Sequence, residues 1–268
     1  MDNEKKRRAE VALFRMRGKN MRIIISPAKK MNVDEDTLLY QNVPVFLENA
    51  EQIMHWMQHL SYSEAKILWN CSDKIAEQNF ERFQKMNLRK NLTPAILSYE
   101  GIQYQYMAPA VFEDHMLQYV QEHLRILSGF YGVLKPMDGV TPYRLEMQAK
   151  AQIDGNANLY QYWGNKLYED VIDRERVIIN LASKEYSKCI EHYLQPGDIF
   201  ITCIFGEISK GKVIQKGTYA KMARGEMVRF MAEHNVEKPE EMKEFKRLGY
   251  CFDEKLSSER EYVYIRSV

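Results

Sequence analysis

The chain has 268 residues, of which 45% are apolar and 28% are charged, and its formal net charge at pH 7 is +1. This composition is typical of a soluble globular protein with one large domain or two small ones. It excludes a protein that is basic throughout, and no apolar run approaches the roughly 18 residues that a membrane-spanning helix needs. The four cysteines are scattered without a CxxC pair, so we expect reduced thiols in a cytoplasmic protein.

Residues 1–20 differ from the rest of the chain. They contain seven basic and three acidic residues, a net charge of +4, which leaves −3 for residues 21–268. Because they lack an apolar period, we predict that they form a disordered basic extension. Residues 17–20 can be encoded by a purine-rich stretch that resembles a ribosome-binding site, so a start at Met21 is one explanation of the extension. A nucleic-acid-binding arm is the other.

In the first half of the chain, one strand precedes a series of helices. The β-branched run RIIIS at residues 22–26 predicts a buried strand that ends at Pro27. Ser61 and Glu64 predict a capping box at the start of a helix. The other elements predicted here are helices at 44–60, 72–86 and 113–127, the last ending at Gly129, and a short strand at 96–99.

The second half alternates between strands and helices, and no linker or internal repeat divides it. We therefore predict a mixed α/β fold in which residues 21–268 form a single compact domain, with a mixed sheet flanked by helices. The strands are predicted at 177–181, 199–205, 212–214, 250–252 and 261–266, and the helices at 158–172, 185–194, 218–234 and 238–247.

Residues 125–147 concentrate conformationally constrained positions. Glycines allow positive φ or close backbone approach, whereas prolines fix φ and stop a helix. Arg144 and Glu146 follow, and at alternate positions of a strand they would share one face. The segment is therefore a candidate site surface, and an irregular connection is the alternative interpretation. Its constrained residues are Gly129, Gly132, Pro136, Gly139 and Pro142.

Polar loops follow two of the predicted strands, at residues 26–30 (SPAKK) and 180–186 (NLASKEY). In open α/β sheets, ligands bind at such carboxyl ends of strands. Lys29 is a candidate ligand for a phosphate or a carboxylate, and a solvated lysine is the alternative. Ser26 and Lys29 also have the S-x-x-K spacing of some acyl-transfer enzymes, but the partner motifs of that class are missing.

The predicted helix 218–234 carries a basic face. Lys221 and Arg224 are three residues apart and share this face, whereas Arg229 points elsewhere. Gly225 lies inside the helical pattern at a cost of about 1 kcal/mol relative to Ala, which indicates close approach of another backbone or a ligand. A solvated basic face with a packing glycine is the alternative.

Well-marked cofactor motifs are missing from the sequence: it contains no GxGxxG, Walker A, HExxH or CxxC-type zinc pattern. His55 and His59 have metal-like spacing, but no acidic third ligand accompanies them, which favours a solvated helix face. We therefore expect no cofactor and no metal site.

Five segments together resemble the YaaA family of bacterial peroxide-stress proteins. They are ISPAK at 25–29, LSGFYGVLKPMDGVTPYRLEM at 127–147, LYQYWG at 159–164, INLASKEY at 179–186 and KMARGEMVRF at 221–230. The resemblance extends from Met21 to about Arg266, in the expected order. The family begins at the equivalent of Met21, which favours the start of the protein at that residue.

The resemblance implies a cytoplasmic protein, induced by hydrogen peroxide, that limits free iron and so limits hydroxyl-radical damage to DNA. It also implies sequence-independent DNA binding through a basic cleft and a helix-hairpin-helix element. SGFYGVL, after the predicted helix 113–127, is the candidate hairpin, with Gly129 and Gly132 spaced to direct backbone N–H groups at a phosphate. Pro136, however, leaves little room for a second helix.

Two hypotheses from different classes follow. A DNA-binding protective protein requires a basic groove that is wide enough for a duplex, whereas an enzyme acting on a nucleotide or nucleobase requires a deep, narrow pocket with a carboxylate of raised pKa. The residues of the DNA-binding cleft would be Lys29, Arg125, Arg144, Lys184, Lys221 and Arg224. Those of the enzyme site would be Arg144, Glu146, Asn180, Ser183 and Glu185.

Overall fold

A mixed sheet forms the centre of the molecule. The computed structural model describes residues 21–34 and 38–267, so the prediction for residues 1–20 lies outside the described part of the chain. The strands are β1 (Arg22–Ile25), β2 (Lys30–Met31), β3 (Thr93–Pro94), β4 (Tyr99–Glu100), β5 (Leu124–Ser128), β6 (Gly132–Leu134), β7 (Gly139–Val140), β8 (Val177–Leu181), β9 (Ile199–Ser209), β10 (Lys212–Ile214), β11 (Tyr250–Phe252) and β12 (Glu261–Arg266).

The sheet has the strand order β11-β12-β9-β8-β1-β5-β6, and β10 pairs with β9. Its five central strands are parallel, while β6, β10 and β11 pair antiparallel at the edges. Parallel strands are covered on both faces, which explains why β1 and β5 read as continuous apolar runs without alternation. The predicted mixed α/β fold with one compact domain is confirmed.

Helices surround this sheet. They are α1 (Leu47–Gln58), α2 (Tyr62–Trp69), α3 (Asp73–Lys85), α4 (Ala95–Ser98), α5 (Ile102–Met107), α6 (Asp114–His123), α7 (Leu159–Trp163), α8 (Lys166–Val171), α9 (Lys184–Glu191) and α10 (Gly217–Glu233), with 3₁₀ helices at Pro109–Val111 and Pro239–Glu244. The predicted capping box is confirmed, since Ser61 accepts from the Glu64 amide and Glu64 accepts from the Ser61 amide. In the part of the chain that the structure describes, no helix has the length and hydrophobicity to cross a membrane.

The prediction of one helix over 113–127 was wrong at its carboxyl end. Helix α6 stops at His123, and Leu124 begins β5, whose residues are all buried. The apolar residues of LRILS satisfy a helical period over one turn and a buried strand equally well, and pairing with β1 decides between them. Similarly, the predicted helix 158–172 is two helices, α7 and α8, which Gly164 separates. The strand predicted at 96–99 was also largely wrong, because residues 95–98 form the helix α4.

The helix-hairpin-helix interpretation of SGFYGVL was also wrong. The segment forms the antiparallel β5–β6 hairpin, and its residues are buried. The amides of Phe130 and Tyr131 donate to Ser128 Oγ, at 3.1 and 2.9 Å, so they do not point at a phosphate. Gly132 has φ +75°, and a Cβ there would lie 2.9 Å from the Trp163 ring, so this glycine serves the turn and the core.

Candidate anion-binding site

A cavity of about 390 Å³ opens where β1 and β8 end, at the carboxyl edge of the sheet. This is the edge at which parallel α/β sheets bind ligands. We call it the Arg224 cavity. Its walls are formed by residues 26–30, 100–104 and 143–146 together with Ser183, Glu185, Tyr186, Lys221 and Arg224.

Two serines join the strand ends at the base of this cavity. The Ser183 amide donates to Ser26 Oγ at 2.8 Å, and Ser26 Oγ donates to Ser183 Oγ at 3.2 Å. The Tyr104 hydroxyl donates to the Ser26 carbonyl at 2.9 Å. The Ser26 side chain is therefore a structural link between the loops that follow β1 and β8, and it is not arranged as a nucleophile with Lys29.

Arg144, Glu146 and Lys29 form a triad along one wall. Glu146 Oε1 lies 3.0 Å from Arg144 Nη2 and 3.0 Å from Lys29 Nζ. Arg144 and Glu146 are 12% exposed at their side chains, whereas Lys29 is 64% exposed. The two residues therefore share one face, as expected, but they lie in an extended loop and not in a strand.

The loop that carries this triad is fixed by the core below it. The Trp69 indole N–H donates to the Arg144 carbonyl at 2.6 Å. Gly129 lies directly beneath, and a Cβ there would be 2.6 Å from the Leu145 carbonyl oxygen. Gly129 therefore contributes to the site by allowing close approach of the loop, and not by binding a ligand itself.

Glu185 is a carboxyl group that the cavity holds partly out of water. Burial raises its pKa above the usual range, and the negative charge of Glu146 adds to this effect. Its Oε1 accepts from the Gln148 amide at 3.3 Å, which opposes the shift. A carboxyl group of raised pKa in a cavity is a candidate for proton transfer.

Lys221 and Arg224 face the cavity from α10, as their spacing predicted. Lys221 is exposed, Arg224 is largely buried, and neither forms an ion pair with any described residue. Arg224 Nε is buried and has no hydrogen-bond partner among the described residues, as is also true of Arg144 Nε, and burial lowers the pKa of the Arg224 guanidinium. Arg229 pairs with Glu233 and lies outside the cavity, which confirms the prediction that it points elsewhere.

Gly225 explains how α10 comes so near. A Cβ there would lie 2.1 Å from the Gln103 carbonyl oxygen and 2.9 Å from the Met107 amide, both in α5. The prediction that this glycine admits another backbone is confirmed. The helix crossing brings Lys221 and Arg224 against the wall that residues 100–104 form.

Charge in the Arg224 cavity is positive in balance. Five cationic side chains and three carboxylates line it, although residues 21–268 as a whole carry a net charge of −3. Two of the three carboxylates, Glu100 and Glu146, are already paired with lysines or Arg144. An anion would therefore meet unpaired positive charge at Lys221 and Arg224.

Three other predicted site residues lie elsewhere. Arg125 is 5% exposed and donates to the Gln121, Glu122 and Leu124 carbonyls, at the amino end of β5. Asn180 is 3% exposed; its side chain donates to Thr202 Oγ1 at 3.2 Å and accepts from the Ala182 amide at 2.9 Å. Lys184 is exposed and paired with Glu191 at 2.5 Å. The structure does not bring these residues into the Arg224 cavity; Asn180 and Lys184 line a different cavity, of about 780 Å³, to which Arg224 also contributes.

Several wall residues escaped the sequence-based predictions. Tyr143 was adjacent to a predicted site residue and could have been included; its hydroxyl lies 2.6 Å from Ser128 Oγ and 2.8 Å from the Tyr99 hydroxyl, and burial raises its pKa to about 12. Gln103 and Tyr104 carry no local signal, because only the tertiary fold places α5 there. Within the described residues, no group of three or more His, Cys, Asp or Glu side chains could hold a metal ion.

These features define a mixed α/β protein with a positively charged cavity at the carboxyl edge of its sheet. The sequence model of the family described as "Peroxide stress protein YaaA" matches residues 21–256. The chain belongs to this family, and the resemblance is confirmed.

Curated relatives support the assignment over most of the chain. A UPF0246 protein of Agathobacter rectalis is 59% identical over 248 residues, which cover 92% of this chain and 100% of the relative. A UPF0246 protein of Lachnoclostridium phytofermentans is 56% identical, with 92% and 96% covered, and one of Pediococcus pentosaceus is 54% identical, with 92% and 98% covered. The family's description supports a role in peroxide stress.

Proposed function

We propose that this protein protects DNA in the cytoplasm during peroxide stress, by limiting free-iron-dependent damage and by binding DNA through the Arg224 cavity and its rim. The observation that carries the proposal is the pair of cations on α10. Lys221 and Arg224 have no ion pair among the described residues, and Arg224 keeps its charge in a largely buried position. A buried cation without a partner costs free energy, so an anionic ligand is its natural complement.

Phosphates are the anions that fit this arrangement. An arginine fork matches the geometry of a phosphate, and the neighbouring lysine adds a point charge. The negative charge of the whole domain keeps the number of phosphate contacts small. Affinity should therefore be weak, independent of sequence and sensitive to salt, with log affinity falling by about 0.9 per contact for each decade of salt.

The test compares two double variants of the full chain. Lys221→Ala with Arg224→Ala removes the unpaired cations, whereas Lys212→Ala with Lys246→Ala removes two exposed lysines that do not line the cavity. Anisotropy of a labelled duplex, titrated at several salt concentrations, should show a slope smaller by about 1.8 for the first variant only. Equal slopes for the two folded variants would overturn the proposal.

The enzyme hypothesis remains the second candidate, because of Glu185. Its pKa is raised by burial in a cavity of about 390 Å³, which is within the size range of small-molecule sites. Its role would be proton transfer to or from a nucleotide or nucleobase. Incubation with nucleotides and oligonucleotides, followed by mass spectrometry, should then show a product that Glu185→Gln does not form. Unchanged substrates with the wild-type protein would reject this candidate.

A further inference from the structure

A second cavity adjoins the Arg224 cavity. Its volume is about 740 Å³, and Lys29 and Glu146 line both cavities, so the two meet at this ion pair. We call it the Trp56 cavity. Its remaining walls are formed by Trp56, Leu60, Glu64, Ile67, Leu68, Trp69 and Asn70 from α1 and α2, and by Gln148, Ala149, Lys150 and Gln152.

The chemistry of the Trp56 cavity is unlike that of its neighbour. Two tryptophans and three aliphatic residues line it, and Ile67 is 78% exposed although it is a large apolar residue. The amide side chains of Asn70, Gln148 and Gln152 and the charged side chains of Glu64 and Lys150 also line it. An amide both donates and accepts hydrogen bonds, as does the edge of a nucleobase. A lining that combines apolar, aromatic residues with amides therefore suits a planar heterocycle.

We infer that the two adjoining cavities form one site for a single unpaired nucleotide, with the phosphate in the Arg224 cavity and the base in the Trp56 cavity. The inference rests on the proposed function and names the unit of nucleic acid that the site takes. A nucleotide is anionic at one end and planar and apolar at the other, which matches the order of the two cavities. A base inside a duplex cannot reach such a cavity, so it must be extruded or already unpaired.

Energetics favour this occupant. Stacking of a base on an aromatic side chain is favourable and tolerant of sequence, which agrees with sequence-independent binding. Extrusion costs least at an unpaired or mismatched position. The site should therefore prefer DNA with an unpaired base over an intact duplex.

The first experiment compares the binding of a nucleotide with the binding of its two parts. Calorimetric titration of the full chain with dAMP, deoxyadenosine and inorganic phosphate should give at least about tenfold tighter binding for dAMP than for either fragment. Ile67→Glu, at an exposed position, should weaken dAMP at least about tenfold and leave phosphate unchanged. Val111→Glu, which places the same charge at an exposed position outside both cavities, should bind dAMP as the wild type does. Equal affinities of wild type and Ile67→Glu for dAMP would overturn the inference.

A second variant addresses the aromatic wall itself. Trp56→Ala should weaken dAMP at least about tenfold, and Trp56→Phe should restore most of the affinity, because stacking needs an aromatic ring. Each variant is compared at a temperature at which its thermal melt shows a folded protein. If Trp56→Phe behaves as Trp56→Ala does while both are folded, stacking is not the interaction.

The third experiment tests whether the site takes a free nucleotide or a nucleotide within DNA. It also separates failure of the inference from failure of the proposed function. Duplexes carrying 2-aminopurine, either paired or in a single-base bulge, are titrated with protein. Tighter binding to the bulge by at least about tenfold, with a fluorescence change that Ile67→Glu abolishes, supports a nucleotide within DNA. Binding of dAMP without a preference for the bulge supports a free mononucleotide. Salt-sensitive duplex binding with neither dAMP binding nor bulge preference overturns the inference and leaves the proposed function standing. Absence of DNA binding by the wild-type protein rejects the proposed function, and absence of dAMP binding as well rejects both.

Discussion

Two arginines at opposite ends of the sheet, Arg125 buried and Arg224 largely buried, have different surroundings. Arg125, at the amino end of β5, donates from Nη1 to three backbone carbonyls, one of them at 2.7 Å. The carboxylates of Asp138 and Asp170 favour its charge, and burial lowers its pKa to about 10. Arg224, at the carboxyl end of β1 and β8, forms no ion pair or hydrogen bond with any described residue, and the Nε atoms of both arginines lack a described hydrogen-bond partner.

The difference shows what separates a structural cation from one that is available to a ligand. Sequence alone placed both arginines in the same cleft. Backbone carbonyls and nearby carboxylates engage Arg125, so its charge is part of the fold, whereas Arg224 has no such partner among the described residues and its charge is available. Cations held largely out of water are rarely left without any partner, so Arg224 indicates a ligand or a role in function.

The largest effect on stability should come from replacing Arg125. Arg125→Met keeps the apolar stem but removes the donor to three carbonyls, and it removes one of the cations near the Asp138 and Asp170 carboxylates. We expect the free energy of unfolding to fall by about 3 kcal/mol, measured by urea denaturation. Arg89→Met, which removes an exposed cation paired with Glu51, should cost at most about 0.5 kcal/mol. Similar losses in the two variants would contradict a structural role for Arg125.

Asp138, one of the carboxylates near Arg125, should make the stability of the protein depend on pH. Burial raises the pKa of its carboxyl to about 6, although the Lys135 amide donates to it at 2.8 Å. In the unfolded chain the group titrates near its usual pKa of about 3.9, so between pH 4 and 6 the folded state retains a proton that the unfolded state loses. Stability therefore decreases as pH rises through this window and then levels off.

Asp138→Asn tests whether the Asp138 carboxyl makes stability decrease as pH rises. The amide oxygen can still accept from Lys135, and the variant has no proton to lose. At pH 7.5 the variant should be more stable than the wild type by about 2 kcal/mol, and at pH 3.5 the two should agree more closely. Urea denaturation at both pH values gives the comparison. A difference that is independent of pH would show that the Asp138 carboxyl is not the titrating group.

The smallest effect on stability in this series should come from replacing Arg224. Arg224→Met replaces a buried cation without a partner by an apolar side chain, so it should increase the free energy of unfolding, by on the order of 1 kcal/mol, while weakening DNA binding. Lys184→Ala, which removes an exposed cation paired with Glu191, should change neither stability nor DNA binding measurably. A destabilised Arg224→Met variant would indicate that Arg224 has a structural partner after all.

Sequence reasoning predicted most strands of the sheet, although not β5 or β6, and the cavity walls at residues 26–30, 144–146 and 221–224, because these depend on local patterns. The β-branched run before Pro27, the helix with Gly225 and the Arg144–Glu146 pair each carry their signal within a few residues. The placement of Arg125 could not be predicted, since its partners come from the backbone of α6 and from distant aspartates. The Trp56 cavity was missed for a related reason: α1 and α2 read as ordinary amphipathic helices, and only packing brings their apolar residues beside Glu146.

The contact between Gly225 and α5 also determines how a ligand can enter. Because the two backbones touch at that glycine, α10 cannot slide towards α5 without a clash, and the wall that carries Arg224 is rigid. On the opposite side, the Lys29 side chain lies at the junction between the two cavities, where it is 64% exposed and paired with Glu146. Such a pair contributes at most about 1 kcal/mol, and an exposed side chain changes rotamer within nanoseconds. Movement of the Lys29 side chain is therefore fast compared with binding. We expect association to proceed at the rate of encounter, without a movement of the fold.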